Sequence, residues 1–146
     1  MAQGDIVVFD EAKAYMIDGG WAAADSIKMA LVTVATVPAA GDITPALADY
    51  TEVAAGGNYT AGGEVLDTLA NMTTEAAGTM TFDDTGATVS WAQHASNPTN
   101  ARYAIIYNGT FAGDQAIGFL DLGGVTDMTA GALTVTWHAS GIFTIA

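Results

Sequence analysis

The chain has 146 residues, of which 51% are hydrophobic, 13% are charged and 17 are glycine. This length suits one domain, residues 1–146, with a buried core, and the hydrophobicity excludes a disordered chain. Sixteen acidic residues against three basic ones give a formal net charge of −13, which would repel phosphates. It therefore excludes nucleic-acid binding, unless a metal ion intervenes, and binding to anionic membranes.

Localisation follows from features that the sequence lacks. There is no cysteine, so neither disulfides nor thiolate metal sites are expected. The first residues show no basic and apolar leader, and no apolar run approaches the roughly 20 residues of a membrane span. We expect a protein that is kept in the cytoplasm until it assembles into a particle or is released by lysis.

The N-terminal residues combine an apolar patch with a short helix. Residues 5–9 contain Ile6, Val7, Val8 and Phe9, which predict either a first strand or an arm laid on a neighbouring subunit. Residues 10–18 predict a helix of about two turns, because Asp10 is a good N-cap and two glycines follow the segment. Residues 26–34 predict the first strand of the core.

The next part of the chain is rich in turns. Residues 36–49 contain two prolines and many small residues, and they predict a long excursion without regular structure. Residues 50–53 predict a short edge strand, residues 54–63 a glycine-dense loop around Tyr59, and residues 64–72 a further strand. The excursion has no obvious place in a β fold, so we expect it to contact a neighbour.

Clean alternation marks the later strands. Residues 78–82 and 87–91 alternate on either side of a turn at residues 83–86, and residues 133–137 and 142–145 finish the chain. About eight short strands with regularly spaced turns predict an all-β fold, either an antiparallel β-sandwich or a jelly-roll-like barrel.

A long hairpin dominates the pattern. Residues 102–107 and 116–122 are nearly continuously apolar, and the loop between them opens with Asn108-Gly109, a pair that tolerates positive φ. Continuous apolarity predicts strands with both faces covered, or with one face in a subunit contact. Arg102, the only arginine, lies at the mouth of this hairpin, where it would pair with a carboxylate of this chain or of a neighbouring subunit.

The residues that could carry chemistry form no recognisable catalytic pattern. His94 and Ser96 lie close in sequence without a nucleophile-elbow motif, and no histidine pair has zinc-ligand spacing. Asp83-Asp84 could contribute to a calcium site, but the alternating acidic loop of such sites is missing. Glu52 and Glu64 could act as a hydrolase pair only if they converged. We therefore predict no enzyme, no metal and no cofactor.

Several ordered segments carry a resemblance to a known family. They are Trp21, residues 25–33, 50–53, 58–63, 89–91, 101–107 and 120–124. In this order they resemble small virion proteins of tailed bacteriophages that are described as capsid decoration, cement or auxiliary head proteins.

This resemblance implies a viral structural protein on the outer surface of the head. It would bind the major capsid protein and itself, as a homotrimer, and stabilise the contacts between capsomers. The alternative is a tail, fibre or head-fibre protein whose exposed Tyr59 contacts a host sugar or receptor. The candidate interface residues are Ile6, Val7, Val8, Phe9, Tyr59 and Arg102. Residues 1–9 would form an N-terminal arm that contacts a neighbour. We expect deletion of residues 2–9 to weaken binding to the particle while leaving the β fold intact.

Overall fold

The computed structural model describes residues 5–18, 20–84, 86 and 88–145. In this part of the chain ten strands pair in antiparallel sheets, which confirms the predicted all-β, sandwich-like fold. The strands are β1 (Ile6–Val8), β2 (Ser26–Val32), β3 (Glu64–Thr68), β4 (Thr73–Ala76), β5 (Thr79–Phe82), β6 (Thr88–Trp91), β7 (Ala101–Asn108), β8 (Ala116–Thr126), β9 (Leu133–Thr136) and β10 (Phe143–Ile145). The helices are α1 (Asp10–Ile17), α2 (Leu69–Met72) and a 3-10 turn (Leu47–Asp49).

The predicted hairpin forms the centre of a five-stranded sheet with the order β1-β8-β7-β2-β3. β7 is buried along nearly its whole length, as its continuous apolar sequence predicts. The turn differs from the prediction. Asn108 ends β7, and the positive φ angles lie at Gly113 (96°) and Asp114 (49°), five residues later.

Both faces of the central sheet are covered. On one face, Ile27, Met29 and Ile106 pack against Phe82 and Trp91 from the two smaller sheets, β10-β5-β4 and β6-β9. On the other face, alternate residues of the same strands pack under the N-terminal segment and the excursion that follows β2; this second core includes Ala30, Val32, Ile105, Phe119, Phe9, Ala12 and Tyr50. Because successive side chains of a strand point to opposite faces, one sheet contributes side chains to two cores.

The N-terminal segment is part of this fold. β1 pairs with β8, with Ile6 opposite Leu120 and Val8 opposite Gly118. Phe9 has no exposed surface, and its ring lies 5.2 Å from that of Phe119. Residues 6–9 thus supply a strand and a core aromatic, which argues against the expectation that residues 2–9 can be deleted with the β fold intact. Residues 1–4 lie outside the described residues.

The excursion also has a place in the fold, contrary to expectation. Pro38, Pro45 and Tyr50 are buried, and the Tyr50 ring stacks on that of Phe9 at 6.1 Å. The backbone of residues 40 and 45 accepts hydrogen bonds from residues 10 and 116. The inner side of the excursion therefore forms the lid over the second core.

Other element predictions were wrong in detail. Residues 64–72 form β3 and then the single turn α2, and β4 was not predicted. Residues 50–53 contribute only an isolated bridge, between Val32 and Glu52. The N-cap of α1 is Phe9 and not the predicted Asp10. Asp10 lies in the first turn, where its negative charge interacts favourably with the positive end of the helix dipole.

Candidate functional site

Arg102 pairs within its own chain. Its Nη2 donates to Asp121 Oδ2 at 2.9 Å, and Nη1 donates to the other carboxylate oxygen. The guanidinium carbon lies 4.7 Å from the centre of the Tyr103 ring, and only 20% of the arginine side chain is exposed. Of the two predicted partners, the structure therefore shows the intrachain carboxylate, on the neighbouring strand β8.

This ion pair lies at the base of a large bulge. Tyr103 pairs with Asp121 and Ala101 with Thr126, so the single residue Arg102 on β7 opposes the four residues 122–125 on β8. Asp121 Oδ1 also accepts a hydrogen bond from the Gly123 N–H at 2.6 Å, and Gly123 has a φ of 84°. The bulge is thereby held in one conformation and presents Val125 to solvent.

Exposed aliphatic side chains lie on the excursion, on this bulge and at three positions outside both. The exposed fractions are 62% for Val37 and 81% for Ile43 on the excursion, 60% for Val125 on the bulge, and 55% for Val34, 58% for Val65 and 36% for Ile145 elsewhere. None of these residues had been predicted as a contact by itself. Burying such a side chain fully is worth about 1.5–3 kcal/mol, so a neighbour that covers any of these side chains gains binding energy.

Tyr59 is buried and is not a surface contact. It is 1% exposed, its hydroxyl donates to Glu52 Oε1 at 2.6 Å, and it accepts from the Leu31 N–H at 3.0 Å. Burial, followed by the bond to Glu52, raises the Tyr59 pKa. The expectation of an exposed sugar- or receptor-contacting ring is therefore wrong.

Glu52 serves the same loop. Its Oε1 also accepts a hydrogen bond from the Gly62 N–H at 2.6 Å, which ties the glycine-rich segment to the end of β2. A carboxylate that holds two protein donors in this way stabilises a loop.

The two histidines lie in exposed loops. His94 Nδ1 accepts from the Ser96 backbone N–H at 3.0 Å, and His138 Nδ1 accepts from the Ser140 N–H at 3.1 Å. The contact of His94 is thus with the backbone of Ser96 and not with its hydroxyl. Each imidazole closes a tight turn, the ordinary structural use of a side-chain acceptor next to an unpaired amide.

The aspartates of the turn at residues 83–86 bind protein groups. Asp84 is 4% exposed; its Oδ1 accepts from the Gly86 N–H at 2.9 Å, and its Oδ2 accepts from Trp137 Nε1 at 3.0 Å. The carboxylate joins the turn to the end of β9. Among the described residues, no group of three or more histidines and carboxylates is placed to hold a metal ion.

A buried polar pair that the sequence analysis missed organises the central loop. Asn108 is fully buried, and its Nδ2 donates to Asp25 Oδ2 at 2.7 Å, while its Oδ1 accepts from the amides of Thr110 and Phe111. The signal was present, since a polar residue that ends a long apolar run needs partners. The sequence did not indicate the distant Asp25.

The search for membrane helices among the described residues and the comparisons with known proteins found no match. No helix in the described part of the chain is long and apolar enough to cross a membrane. No family model, curated protein or solved structure matches the chain.

Proposed function

We propose that this protein is a bacteriophage virion structural protein that binds the outer surface of the head and stabilises the contacts between capsid proteins. The first support is the resemblance to decoration proteins. The segments that carry it include most of β2, β7 and the centre of β8, which together form the middle of the central sheet. The resemblance thus covers the scaffold of the fold, and it extends to segments outside the central sheet such as residues 50–53 and 58–63.

The observation that carries the proposal is the exposed aliphatic surface. Val37 and Ile43 project from a segment whose inner side is packed onto the second core, and Val125 projects from a bulge held by the Arg102–Asp121 pair. Apolar side chains on anchored segments lose little conformational entropy when a neighbour covers them. Such a surface suits permanent assembly.

The mechanism would be shared burial. Each copy would cover parts of adjacent capsid proteins, so that separating them exposes additional apolar surface. A specific contact of standard size buries roughly 1,600 Å². As a homotrimer the protein would hold three such contacts together, and the effective concentration of the second and third would make the assembly tight even if each contact were weak.

The test compares particles that lack the protein with particles to which the purified full chain has been added. We expect added protein to raise the temperature at which packaged DNA becomes accessible to a dye. Ile43→Asp should bind less, because it places a charge in the contact. Thr74→Asp, which adds the same charge at an exposed position of β4, is the matched control.

Two outcomes would contradict the proposal. One is an unchanged rupture temperature with full occupancy of the head. The other is labelled protein on the tail alone, which would favour the tail or fibre alternative. Equal binding of both variants would leave the head location intact but remove Ile43 from the contact.

A further inference from the structure

A cleft runs between β9 and the edge of the central sheet. It has a volume of about 240 Å³, and its walls include Ile6 of β1, Leu120 and Leu122 of β8, and Leu133, Val135 and Trp137 in and after β9. The three β9-side residues point toward the main core, yet each remains partly exposed. The core is therefore incompletely covered along this edge.

The cleft follows the backbone of β9. All six consecutive residues 133–138 line it, although neighbouring side chains of a strand point to opposite faces. β9 pairs only with β6 in its two-stranded sheet, and among the described residues no backbone hydrogen bond joins Leu133–Thr136 to another segment. Within the described part of the chain, the outer edge of β9 thus carries backbone donors and acceptors that pair with no other strand, beside an apolar groove.

The size of the cleft favours side chains over a small molecule. Ligand pockets usually measure roughly 300–1,000 Å³ and enclose their ligand. This cleft is smaller and open along one side. A strand laid along β9 would place alternate side chains in the groove and its backbone against the free edge, which is the geometry of strand addition.

Charge selects the kind of strand. Asp121 in the cleft wall is neutralised by Arg102, and the buried Asp84 accepts from Trp137 at one end. The whole chain carries a formal charge of −13. A second copy of this chain would bring the same negative charge, so a basic segment of a different protein is the better complement.

We propose that this cleft binds an extended segment of a partner protein, with aliphatic residues at alternate positions and lysine or arginine at its ends. The segment adds as a strand to the outer edge of β9. This inference stands on the cleft alone and holds wherever the protein is located.

The probe is a capped synthetic peptide, Lys-Lys-Val-Thr-Val-Thr-Val-Lys-Lys, titrated into the full chain and followed by amide NMR shifts. We expect the shifts to concentrate at residues 133–138 and in the facing part of β8. A glutamate-flanked peptide should bind at least about tenfold more weakly at low salt, and the difference should shrink as salt screens the charges. Of two peptides N-methylated at either the valines or the threonines, one should fail and the other bind, since alternate amides face opposite edges.

Variants of the protein test the location. Val135→Asp should weaken the lysine-flanked peptide about tenfold or more, whereas Val65→Asp on the open edge of β3 should not. If Val135→Asp does not fold, Thr136→Lys, at an exposed position, should shift the preference toward the glutamate-flanked peptide. The proposal is overturned if no peptide binds at millimolar concentration, if both N-methylated peptides bind equally, or if the variants change nothing. Concentration-dependent shifts of residues 133–138 without peptide would assign the cleft to a second copy and equally overturn it.

Discussion

Replacing Tyr59 by phenylalanine tests the two hydrogen bonds that its hydroxyl makes in the glycine-rich loop. The Tyr59 hydroxyl donates to Glu52 and accepts from the Leu31 amide, and the residue is 1% exposed. In Tyr59→Phe the ring still fills its place beside Trp91, 6.0 Å away, so the change isolates the hydroxyl.

The loss in the free energy of unfolding comes from the two hydrogen bonds that the Tyr59 hydroxyl makes, to Glu52 and to the Leu31 amide. Glu52 is partly exposed, so water can replace part of what its carboxylate loses, but the Leu31 amide lies within the core and has no replacement. A buried group left unsatisfied costs about 1–3 kcal/mol, and a hydrogen bond to a charged group contributes about 1.5–3 kcal/mol. Allowing for rehydration of Glu52, we expect a loss of about 2–4 kcal/mol in the free energy of unfolding. For a chain of this size that lowers Tm by about 5–12 °C.

Urea unfolding followed by tryptophan fluorescence, together with calorimetry, would measure this loss. Tyr103→Phe is the matched control, because Tyr103 is 8% exposed and its hydroxyl has no hydrogen bond among the described residues. It should change stability by less than about 0.5 kcal/mol. A double-mutant cycle with Glu52→Gln should show a coupling above about 1 kcal/mol. Equal losses in Tyr59→Phe and Tyr103→Phe, or no coupling, would refute the reasoning.

Three further predictions follow from single contacts. Gly63→Ala should lower the free energy of unfolding by more than about 3 kcal/mol, since an added Cβ would overlap a carbonyl of β2. Gly78 also has a positive φ but borders open space, so Gly78→Ala should cost about 1–2 kcal/mol. Similar urea midpoints for the two variants would contradict this prediction. Asp121→Ala should destabilise more than Asp121→Asn, because asparagine can still accept from the Gly123 amide. Equal losses of both variants in thermal unfolding would show that the charge alone matters and would contradict this prediction. Burial, followed by nearby carboxylates, raises the pKa of Tyr107 to about 12. Between about pH 10 and pH 12 this tyrosine ionises in the unfolded chain but not in the folded one, so the free energy of unfolding should fall as pH rises, by up to about 1.4 kcal/mol per pH unit for this residue. A flat stability profile over that range would contradict the prediction.

The strands themselves could be predicted from the sequence because their signals are local. The apolar run of β7 reports burial on both faces, and the alternation in β6 and β9 reports one buried face. Each pattern depends on residues within a few positions, and the physics of a pleated strand acts over that distance. The all-β class and the central hairpin follow from these patterns alone.

Partners across the chain were decided by the tertiary structure. β5 and β6 flank one turn, yet they do not pair with each other: β5 pairs with β4 and β10, and β6 pairs with β9. The sequence of a strand and of its turn does not specify which distant strand it will pair with. The same holds for polar groups: Asn108 meets Asp25, 83 residues away, only when β2 and β7 lie side by side. Local composition determines which segments become strands, whereas contacts between distant segments decide which side chains are buried, paired or left at the surface.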